Sequence, residues 1–538
     1  MNEQATTKIF WRLAFFSLLI FYCFFYAPFG INETDGGFLT GLAWQILCGK
    51  TLYADVVYVR PPMSVWLRVL ELKVLPETWA VLGERWLFYG KVATYSWLAA
   101  AVLIRERTAS RWMLGTLGFV VSAHCYPATS WHTVDGILFS MLGIWFWTNF
   151  SNRWTAVLSG VAIIGALLCK QSFYPMLAVW LVFTSTDWPK QPQRVMLAVG
   201  AMLGAVIAFV LYLKINNLLY AYWELTSGVT SGNTAIEYGF SSFFNIKPAL
   251  LLASIAMALF VAGSIRLKHN FKLGFLTWVV WLLLLIGTYA WTIWQRQDFT
   301  VPFAQTRLLF IVAAGFGAYP FWKKQWIAGK LLHYFALLAL TWCASISWGY
   351  NLPILFATPW LFAVMEISNG LFKADYPDRK PSAWLSVFAL LALLLVFRLG
   401  YSFVYRDGRR FTLTEHLGEV FPRLNGIFSS PETFARYQNL RTLASRYGTT
   451  FKTLPTFPEA NYITATYPPL PLDWVVEREM GEGKNMVQSV VQEETHIYFV
   501  ETDQLPRIEQ ESEYQLAKII LRNGRVLEKT NWFWVVVY

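Results

Sequence analysis

The residues best suited to chemistry lie between positions 31 and 67, in a polar stretch that follows the first long apolar segment. Glu33 and Asp35 come just after that segment, where burial and helix ends can tune a carboxylate into a general base. The alternative interpretation is a capping cluster, because Asn32, Thr34 and Asp35 are all favourable at a helix N-terminus. The spacing of the residues supports both interpretations equally.

A second candidate group lies in the stretch PATSWHTVDG at 127–136. His132 and Asp135 are three positions apart, so they share one face if a helix begins near Thr133. A histidine and carboxylates from two loops can bind a divalent metal, which makes Glu33, Asp35 and His132 candidate ligands. Capping by Thr133 or Asp135 is the more frequent reason for such a pattern. No cofactor is certain, and a divalent metal stays open.

Several basic residues lie where they can hold an anion. Arg60 directly precedes two prolines, which restrict its backbone, and Arg296 and Arg307 flank a polar turn between apolar segments. A guanidinium can bind a phosphate through two parallel hydrogen bonds, so these arginines are candidate phosphate ligands. Lys170 is a fourth candidate because a lysine at membrane depth is costly. The alternative for Lys170 is a simple boundary position at the end of a helix.

Other common functional patterns are missing from the sequence. There is no Gly-x-x-x-x-Gly-Lys loop and no Gly-x-Gly-x-x-Gly after a strand, so a nucleotide donor is not indicated. The five cysteines are scattered without metal spacing. The net charge of +11 comes from Lys and Arg in short loops between apolar runs. No nucleic-acid partner is therefore expected.

The rest of the chain must position these residues, and its composition indicates a polytopic α-helical membrane protein. Hydrophobic residues make up 56% of the 538 residues and charged residues 14%, against about 25% charged in soluble proteins. Runs of membrane length predict about thirteen spans. They lie near 9–30, 84–104, 112–127, 134–150, 154–169, 172–186, 194–213, 246–265, 273–293, 307–322, 331–349, 353–371 and 383–403.

The distribution of basic residues predicts the orientation. With a cytoplasmic N-terminus, every turn on the cytoplasmic side carries Lys or Arg, as the positive-inside rule requires. An odd number of spans then places the first loop (31–83), the turn with His132, the turn 294–306 and the C-terminal region (405–538) on the outer side. These parts of the chain hold all the candidate residues except Lys170 and Arg307, which lie at the ends of predicted spans.

Local patterns predict the organisation of the two outer regions. In the first loop, interfacial helices are expected at Gly37–Cys48 and Met63–Leu75, the second entered through Pro61-Pro62 and stopped by Pro76. Residues 1–404 form the membrane domain, and residues 405–538 are long enough for a small α/β domain. That region predicts a helix from Pro431 to Tyr447, capped by Ser430. It also predicts strands at Tyr462–Ala465, His496–Glu501 and Trp532–Tyr538.

One motif in the first loop resembles a known family. The run Asp35-Gly36-Gly37-Phe38, followed by Ala43, Leu47, Gly49, Tyr53 and Arg60-Pro61-Pro62 with Trp66, resembles the first outer loop of GT-C membrane glycosyltransferases. The bacterial aminoarabinose–lipid A transferases and the protein O-mannosyltransferases are the most similar members. The turn with Asp135, the segment GALLCKQSFY at 165–174 and an outer C-terminal α/β domain are also similar to that family.

The resemblance implies roles for individual residues. Asp35 matches the acidic residue that deprotonates or orients the acceptor, Arg60 matches the basic residue at the donor phosphate, and Asp135 matches a second-loop acid. Gly36 departs from the pattern, because many relatives carry a second acid or a histidine there. That departure puts a metal at this position in doubt unless Glu33 substitutes for the missing acid.

The implied activity is transfer of a sugar from a polyprenyl-phosphate carrier to a lipid, glycan or protein acceptor, with inversion at the anomeric carbon. Arg60, Lys170, Arg296 and Arg307 would bind the donor phosphate, and Tyr53, Tyr58 and His132 would line the substrate site. The implied location is the outer face of a bacterial inner membrane, for a monomer embedded in the bilayer. A transporter or flippase of a lipid-linked sugar and a glycan ligase or polymerase are the alternatives.

Overall fold

The structure is a computed structural model. It describes residues 3–227 except 107, 125 and 126; residues 328–346; 356–359, 361–363, 365–366, 401–402 and 404; and residues 406–538 except 494. The phosphate ligands predicted at Arg296 and Arg307 lie outside the described residues. So do the predicted spans 246–265, 273–293 and 307–322, and most of 353–371 and 383–403.

Long helices make up the described part of the membrane region. Apart from the short α10, which matches no predicted span, their bounds follow the predicted spans within a few residues, because each apolar run continues until a polar or proline-containing turn interrupts it. The helices are α1 (Glu3–Phe21, continued by a π-helical turn at Tyr22–Tyr26), α4 (Ala80–Leu103), α5 (Ala109–Ala123), α6 (His132–Asn149), α7 (Arg153–Leu167), α8 (Pro175–Ser185), α9 (Pro192–Ile215), α10 (Leu219–Ser227) and α11 (Ala328–Ser345).

Two of the described helical segments, Ala5–Tyr26 and Pro192–Ile215, are long and apolar enough to cross a membrane. Both present large apolar side chains outward: Leu13 and Ile20 on α1 are 61% and 59% exposed, and Ile207 on α9 is 58% exposed. Such exposure is typical of a surface that contacts lipid. The total of thirteen spans stays a prediction.

The first loop contains the two predicted helices, α2 (Phe38–Leu47) and α3 (Met63–Val74). The segment between them turns sharply, with Gly49 and Tyr53 both at positive φ. Pro62 precedes α3, and the chain leaves the helix just before Pro76. Most residues of α2 are buried by other parts of the protein. The helix is therefore enclosed by protein, whereas the sequence predicted a helix lying at the membrane surface.

The C-terminal region is an α/β unit built on a four-stranded sheet of order β3-β4-β6-β5. β3 (Phe451–Leu454) pairs in parallel with β4 (Ile497–Glu501), and β6 (Phe533–Val537) is antiparallel to β4 and to β5 (Arg525–Lys529). Short strands β1 (Glu415–His416) and β2 (Phe428–Ser429) form a separate hairpin. Helix α12 (Pro431–Tyr447) begins as predicted, with the Ser430 hydroxyl accepting a bond from the Thr433 N–H.

Two of the three predicted strands are confirmed, at β4 and β6. The strand predicted at Tyr462–Ala465 is wrong: residues Ala460–Ile463 form a helical turn. The Ile463 N–H donates to the Glu459 carbonyl over 3.0 Å, and the Asn461 amide donates to the carbonyl of Phe451 over 3.0 Å. These local bonds satisfy the backbone and tie the turn to β3, which outweighs the strand propensity of Tyr and Ile.

The C-terminal region packs directly on the first loop. The backbone of Phe428 exchanges bonds of 2.7 Å with Pro28 and Gly30 at the end of the first span. The Lys50 ammonium donates to the carbonyls of Pro468 and Leu470 over 2.7 and 3.0 Å. The first loop is therefore held between the helices and the C-terminal region, and side chains from both sides meet there.

Candidate functional site

The two acidic residues of the first loop lie in a tight turn before α2. The Asn32 side-chain oxygen accepts bonds from the Thr34 and Asp35 N–H groups over 3.2 and 3.3 Å. The Asn32 amide in turn donates to the Asp35 carboxylate over 3.3 Å. Asn32 thus holds this turn and orients Asp35. The alternative of a helix cap is not formed, because Gly37 precedes α2 and no side chain caps that helix.

Arginines from the C-terminal region approach both acids. Arg436 on α12 lies 3.0 Å from the Glu33 carboxylate and 2.5 Å from that of Glu501. Arg406 lies 3.5 Å from the Asp35 carboxylate. Sequence reasoning missed these arginines, because they are about 370 to 400 positions away and no local pattern marks them.

The electrostatics of Glu33 suit proton transfer near neutral pH. Burial raises the Glu33 pKa to about 7, although the nearby Arg436 acts to lower it. One Glu33 oxygen has no hydrogen-bond partner among the described residues. A carboxyl group with a pKa close to the working pH changes protonation readily, as general acid–base catalysis requires.

Steric contacts explain the two glycines after Asp35. A Cβ on Gly36 would lie 2.5 Å from the Asn32 carbonyl oxygen, and a Cβ on Gly37 would lie 2.5 Å from the Glu459 Cβ. The turn therefore leaves no room for a side chain at Gly36, where the resembled family often carries a second acid. A carboxylate from the C-terminal region, Glu459, packs beside the next residue.

Arg60 is held by a carboxylate of the C-terminal region. Its two terminal nitrogens lie 2.5 and 2.8 Å from the two Glu479 oxygens, a bidentate geometry, and both side chains are buried. The Tyr53 hydroxyl donates to the Arg60 carbonyl over 2.8 Å, so Tyr53 helps to hold this backbone. The guanidinium also lies over the Phe38 ring, 5.3 Å from its centroid.

Three further predicted residues gather around Arg60. Lys170, in the connection between α7 and α8, donates to the Thr133 hydroxyl over 3.5 Å. Burial and the positive charge of Arg60 hold the Lys170 pKa well below its usual range, and Glu479 partly opposes this shift. His132 and Tyr58 are buried in the same surroundings. The structure thus brings together Arg60, Lys170, His132 and Tyr58, which we call the cationic cluster.

The cationic cluster contains unsatisfied polar atoms. The two ring nitrogens of His132 and the Tyr58 hydroxyl have no hydrogen-bond partner among the described residues. His132 is fully buried with its ring 4.4 Å from that of Trp131. In the part of the chain that the structure describes, no group of three or more His, Cys, Asp and Glu side chains is placed to hold a metal. Glu33, Asp35 and His132 do not form such a group.

Asp135 belongs to a separate buried network of charges, between α3, α4 and α6. Its carboxylate lies 2.8 Å from the Lys91 ammonium, and Lys91 lies 3.0 Å from Glu71. Arg68 joins Glu71 to Glu84 through ion pairs of 3.1 and 2.6 Å. Charged residues within a membrane-length segment are a signal of function. Lys91 and Glu84 carry that signal within the predicted span 84–104.

This charge network also reaches the turns that precede α2 and α6. Glu84 accepts bonds from the Thr129 hydroxyl over 2.7 Å and from the Ser130 N–H over 2.6 Å. The same Thr129 hydroxyl also approaches the Gly36 carbonyl, at 2.9 Å. The turn that precedes His132 is therefore linked through Glu84 and Thr129 to the turn that carries Asp35.

Among the comparisons with known proteins, only the comparison with solved structures gives a match. No family model and no curated protein matches the sequence. The chain is similar to two crystal structures of ArnT from Cupriavidus metallidurans, one bound to undecaprenyl phosphate and one in the apo state. Each has 14% identity and a TM-score of 0.42, over 98% of this chain and 98% or 97% of the ArnT chain.

The similarity to ArnT extends over nearly the whole length of the chain. Because the identity and the TM-score are low, the function proposed next rests on the residues of this chain and their geometry.

Proposed function

We propose that this protein is a membrane glycosyltransferase. It would move a sugar from a polyprenyl-phosphate carrier to a hydroxyl group of a lipid, glycan or protein acceptor, at the outer face of the inner membrane. The observation that carries the proposal is the cationic cluster beside the first loop. Arg60 and Lys170 lie in a buried place where Glu479 supplies one negative charge and where burial and Arg60 disfavour the charged form of Lys170.

A phosphate suits this cluster for physical reasons. Arg60 and the low polarity of the surroundings disfavour a second positive charge on Lys170. A bound anion favours the protonated form of Lys170, and phosphate oxygens can accept hydrogen bonds from both side chains. The hydroxyl of Tyr58 and the ring of His132 are available to further oxygens of the donor. Arg296 and Arg307 complete the proposed set of phosphate ligands.

The carboxylates of the first loop supply the other half of the reaction. Asp35 is the proposed base: it takes the proton of the acceptor hydroxyl as the oxygen attacks the anomeric carbon. The bond from that carbon to the phosphate oxygen breaks, and its electron pair leaves with the lipid phosphate. Arg60 and Lys170 stabilise the charge that develops on the leaving oxygen. Attack from the side opposite the phosphate inverts the anomeric carbon.

The remaining predicted residues have supporting roles. Glu33, the second carboxylate of the turn, changes protonation near neutral pH. Asp135 holds Lys91 and, through Glu71 and Arg68, the start of α6 against the first loop. Tyr53 supports the backbone of Arg60.

The proposal is tested by Asp35→Asn in purified protein, with a radiolabelled polyprenyl-phosphate sugar as donor and a cell-envelope extract as acceptor. Loss of a general base should lower transfer by about 10²-fold or more, while the unfolding temperature stays within a few degrees of wild type. Asp55→Asn is the matched control, because Asp55 lies in the same loop and only accepts the exposed Thr51 N–H. Normal transfer by the Asp35 variant contradicts the proposal.

A further inference from the structure

A cleft opens beside the turn that carries Asp35. It lies between the ends of α1, α4 and α5 and the C-terminal region, and its empty space, part of which is open solvent, is about 860 Å³. Asn32 and Gly36, on either side of Asp35, line it, but none of the predicted site residues that the structure describes does. The cleft is therefore a feature that the proposed donor site and base do not use.

Two charged side chains in the cleft each have one polar atom without a hydrogen-bond partner among the described residues. One oxygen of Glu459 and one terminal nitrogen of Arg410 have no hydrogen-bond partner among the described residues. Both residues line the cleft, and they are only 3% and 6% exposed. A buried polar atom without a partner costs about 1–3 kcal/mol. Such atoms in the wall of a cleft indicate that a ligand completes their hydrogen bonds.

The position of Glu459 depends on close packing against α2. Cβ atoms on Gly37 and Gly41, one turn apart, would lie 2.5 Å from the Glu459 Cβ and 2.6 Å from the Pro458 carbonyl oxygen. The two glycines thus let the backbone of residues 458 and 459 approach the helix. This contact carries the Glu459 carboxyl group to the wall of the cleft, beside the turn with Asp35.

Aromatic rings form another part of the wall, beside Arg410. The Arg410 guanidinium lies 3.8 Å from the ring centroid of Tyr401 and 4.1 Å from that of Phe29. Tyr89 lines the cleft as well. Aromatic faces provide apolar contact area, and the adjacent polar tips provide orientation.

We propose that this cleft binds a sugar ring of the acceptor, with Glu459 and Arg410 as its polar ligands; this inference rests on the glycosyltransferase function proposed above. A hydroxyl group both donates and accepts, so a neutral sugar can satisfy the carboxyl group and the guanidinium together. An anionic ligand would meet the carboxylates of Glu84 and Glu459, and a cationic ligand would meet Arg85 and Arg410. The cleft places the acceptor beside Asp35.

Saturation-transfer NMR tests the binding without turnover. The protein is placed in lipid nanodiscs, because maltoside detergents carry a sugar headgroup, and is exposed separately to glucose, glucose 6-phosphate and glucosamine. Glucose should receive the strongest saturation. Glu459→Gln should weaken that signal, and Ala128→Trp should abolish it by filling the cleft from a half-buried wall position. Glu509→Gln, at an exposed site, is the control.

Transfer kinetics provide the second measurement. In the radiolabel assay, Glu459→Gln should raise the KM for the acceptor about tenfold, as expected for a lost hydrogen bond to a buried group, and leave the KM for the donor unchanged. An undiminished glucose signal in Ala128→Trp, or stronger binding of a charged sugar, overturns the assignment. If the protein binds glucose but transfers no sugar, the proposed function is refuted while the assignment of a sugar-binding site is supported.

Discussion

Arg436 of the C-terminal region lies 3.0 Å from Glu33 of the first loop, although the two residues are some 400 positions apart. The same guanidinium lies 2.5 Å from Glu501 at the end of β4. Arg436 therefore connects the sheet of the C-terminal region to the acidic turn before α2. In the proposed enzyme, the C-terminal region helps to set the charge of the turn that carries the base.

Replacing Arg436 should change the pH dependence of transfer. Burial raises the Glu33 pKa to about 7 and Arg436 opposes that shift, so Arg436→Ala should raise the Glu33 pKa further. Since Glu33 supports the Asp35 base in its ionised form, we expect the acidic limb of the pH–rate profile to move to higher pH, with less activity at pH 7 and recovery at higher pH. Arg436→Lys keeps the charge and should move the limb less.

The matched control for Arg436 is on the same helix. Arg446 forms an exposed ion pair with Glu528 at 2.6 Å, and exposed pairs contribute little. Arg446→Ala should leave the pH–rate profile at its wild-type position. If the pH–rate profile of Arg436→Ala is unchanged, Arg436 does not influence the protonation step that limits transfer at low pH.

Glu479→Gln should destabilise the protein and make it more dependent on the lipid phosphate. Removing one partner of a buried ion pair costs about 3–5 kcal/mol, and this change leaves Arg60 and Lys170 without the Glu479 charge. Undecaprenyl phosphate should therefore raise the unfolding temperature of this variant more than that of wild type. Thermal unfolding with and without the lipid measures both effects.

Glu477→Gln is the control for Glu479, since Glu477 pairs with the exposed Lys484 at 2.7 Å. It should shift the unfolding temperature little. Equal stabilisation of wild type and Glu479→Gln by the lipid would place the phosphate away from the cationic cluster.

Gly37→Ala should loosen the contact between α2 and the C-terminal region. The backbone at Gly37 has φ −88°, which alanine tolerates, so the effect comes only from the clash with Glu459. We expect a lower unfolding temperature and faster proteolysis after residue 405. Gly200→Ala, where a Cβ meets nothing within 4 Å, should be neutral or slightly stabilising because alanine favours helix. If Gly37→Ala and Gly200→Ala have similar unfolding temperatures and rates of proteolysis, the contact between Gly37 and Glu459 accommodates a methyl group without loss of stability.

Glu459 should make the protein less stable as the pH rises. Burial and the neighbouring Glu84 raise the Glu459 pKa from 4.5 to about 8, so between these values the folded state keeps a proton that the unfolded state has released. Stability is then lost as the pH rises through that window. Glu459→Gln removes this loss, and its advantage in unfolding temperature over wild type should grow from pH 5 to pH 8. A constant difference across that range would contradict the raised pKa.

Much of the local structure could be predicted from the sequence. The apolar runs gave α1 and α4 to α9, prolines bounded α3, and Ser430 with Pro431 marked the start of α12. Two strands of the C-terminal sheet were predicted, and β3 and β5 were not. β5 is mostly exposed, so it lacks the alternation of apolar residues that identifies a strand, and the turn at 460–463 is held by side-chain bonds that no periodicity shows.

The candidate site divides in the same way. The sequence by itself determined which residue types stand in the first loop and its neighbours: Glu33, Asp35, Arg60, His132 and Asp135 are identified by their place beside apolar runs, prolines and turns. Only the tertiary structure decided their partners. Glu479, Arg436 and Glu459 come from a region hundreds of residues away, and charge interactions depend on distance in space, which a single sequence does not encode. For the same reason, only the structure shows that Asp135 pairs with Lys91 and does not belong to the cationic cluster around Arg60.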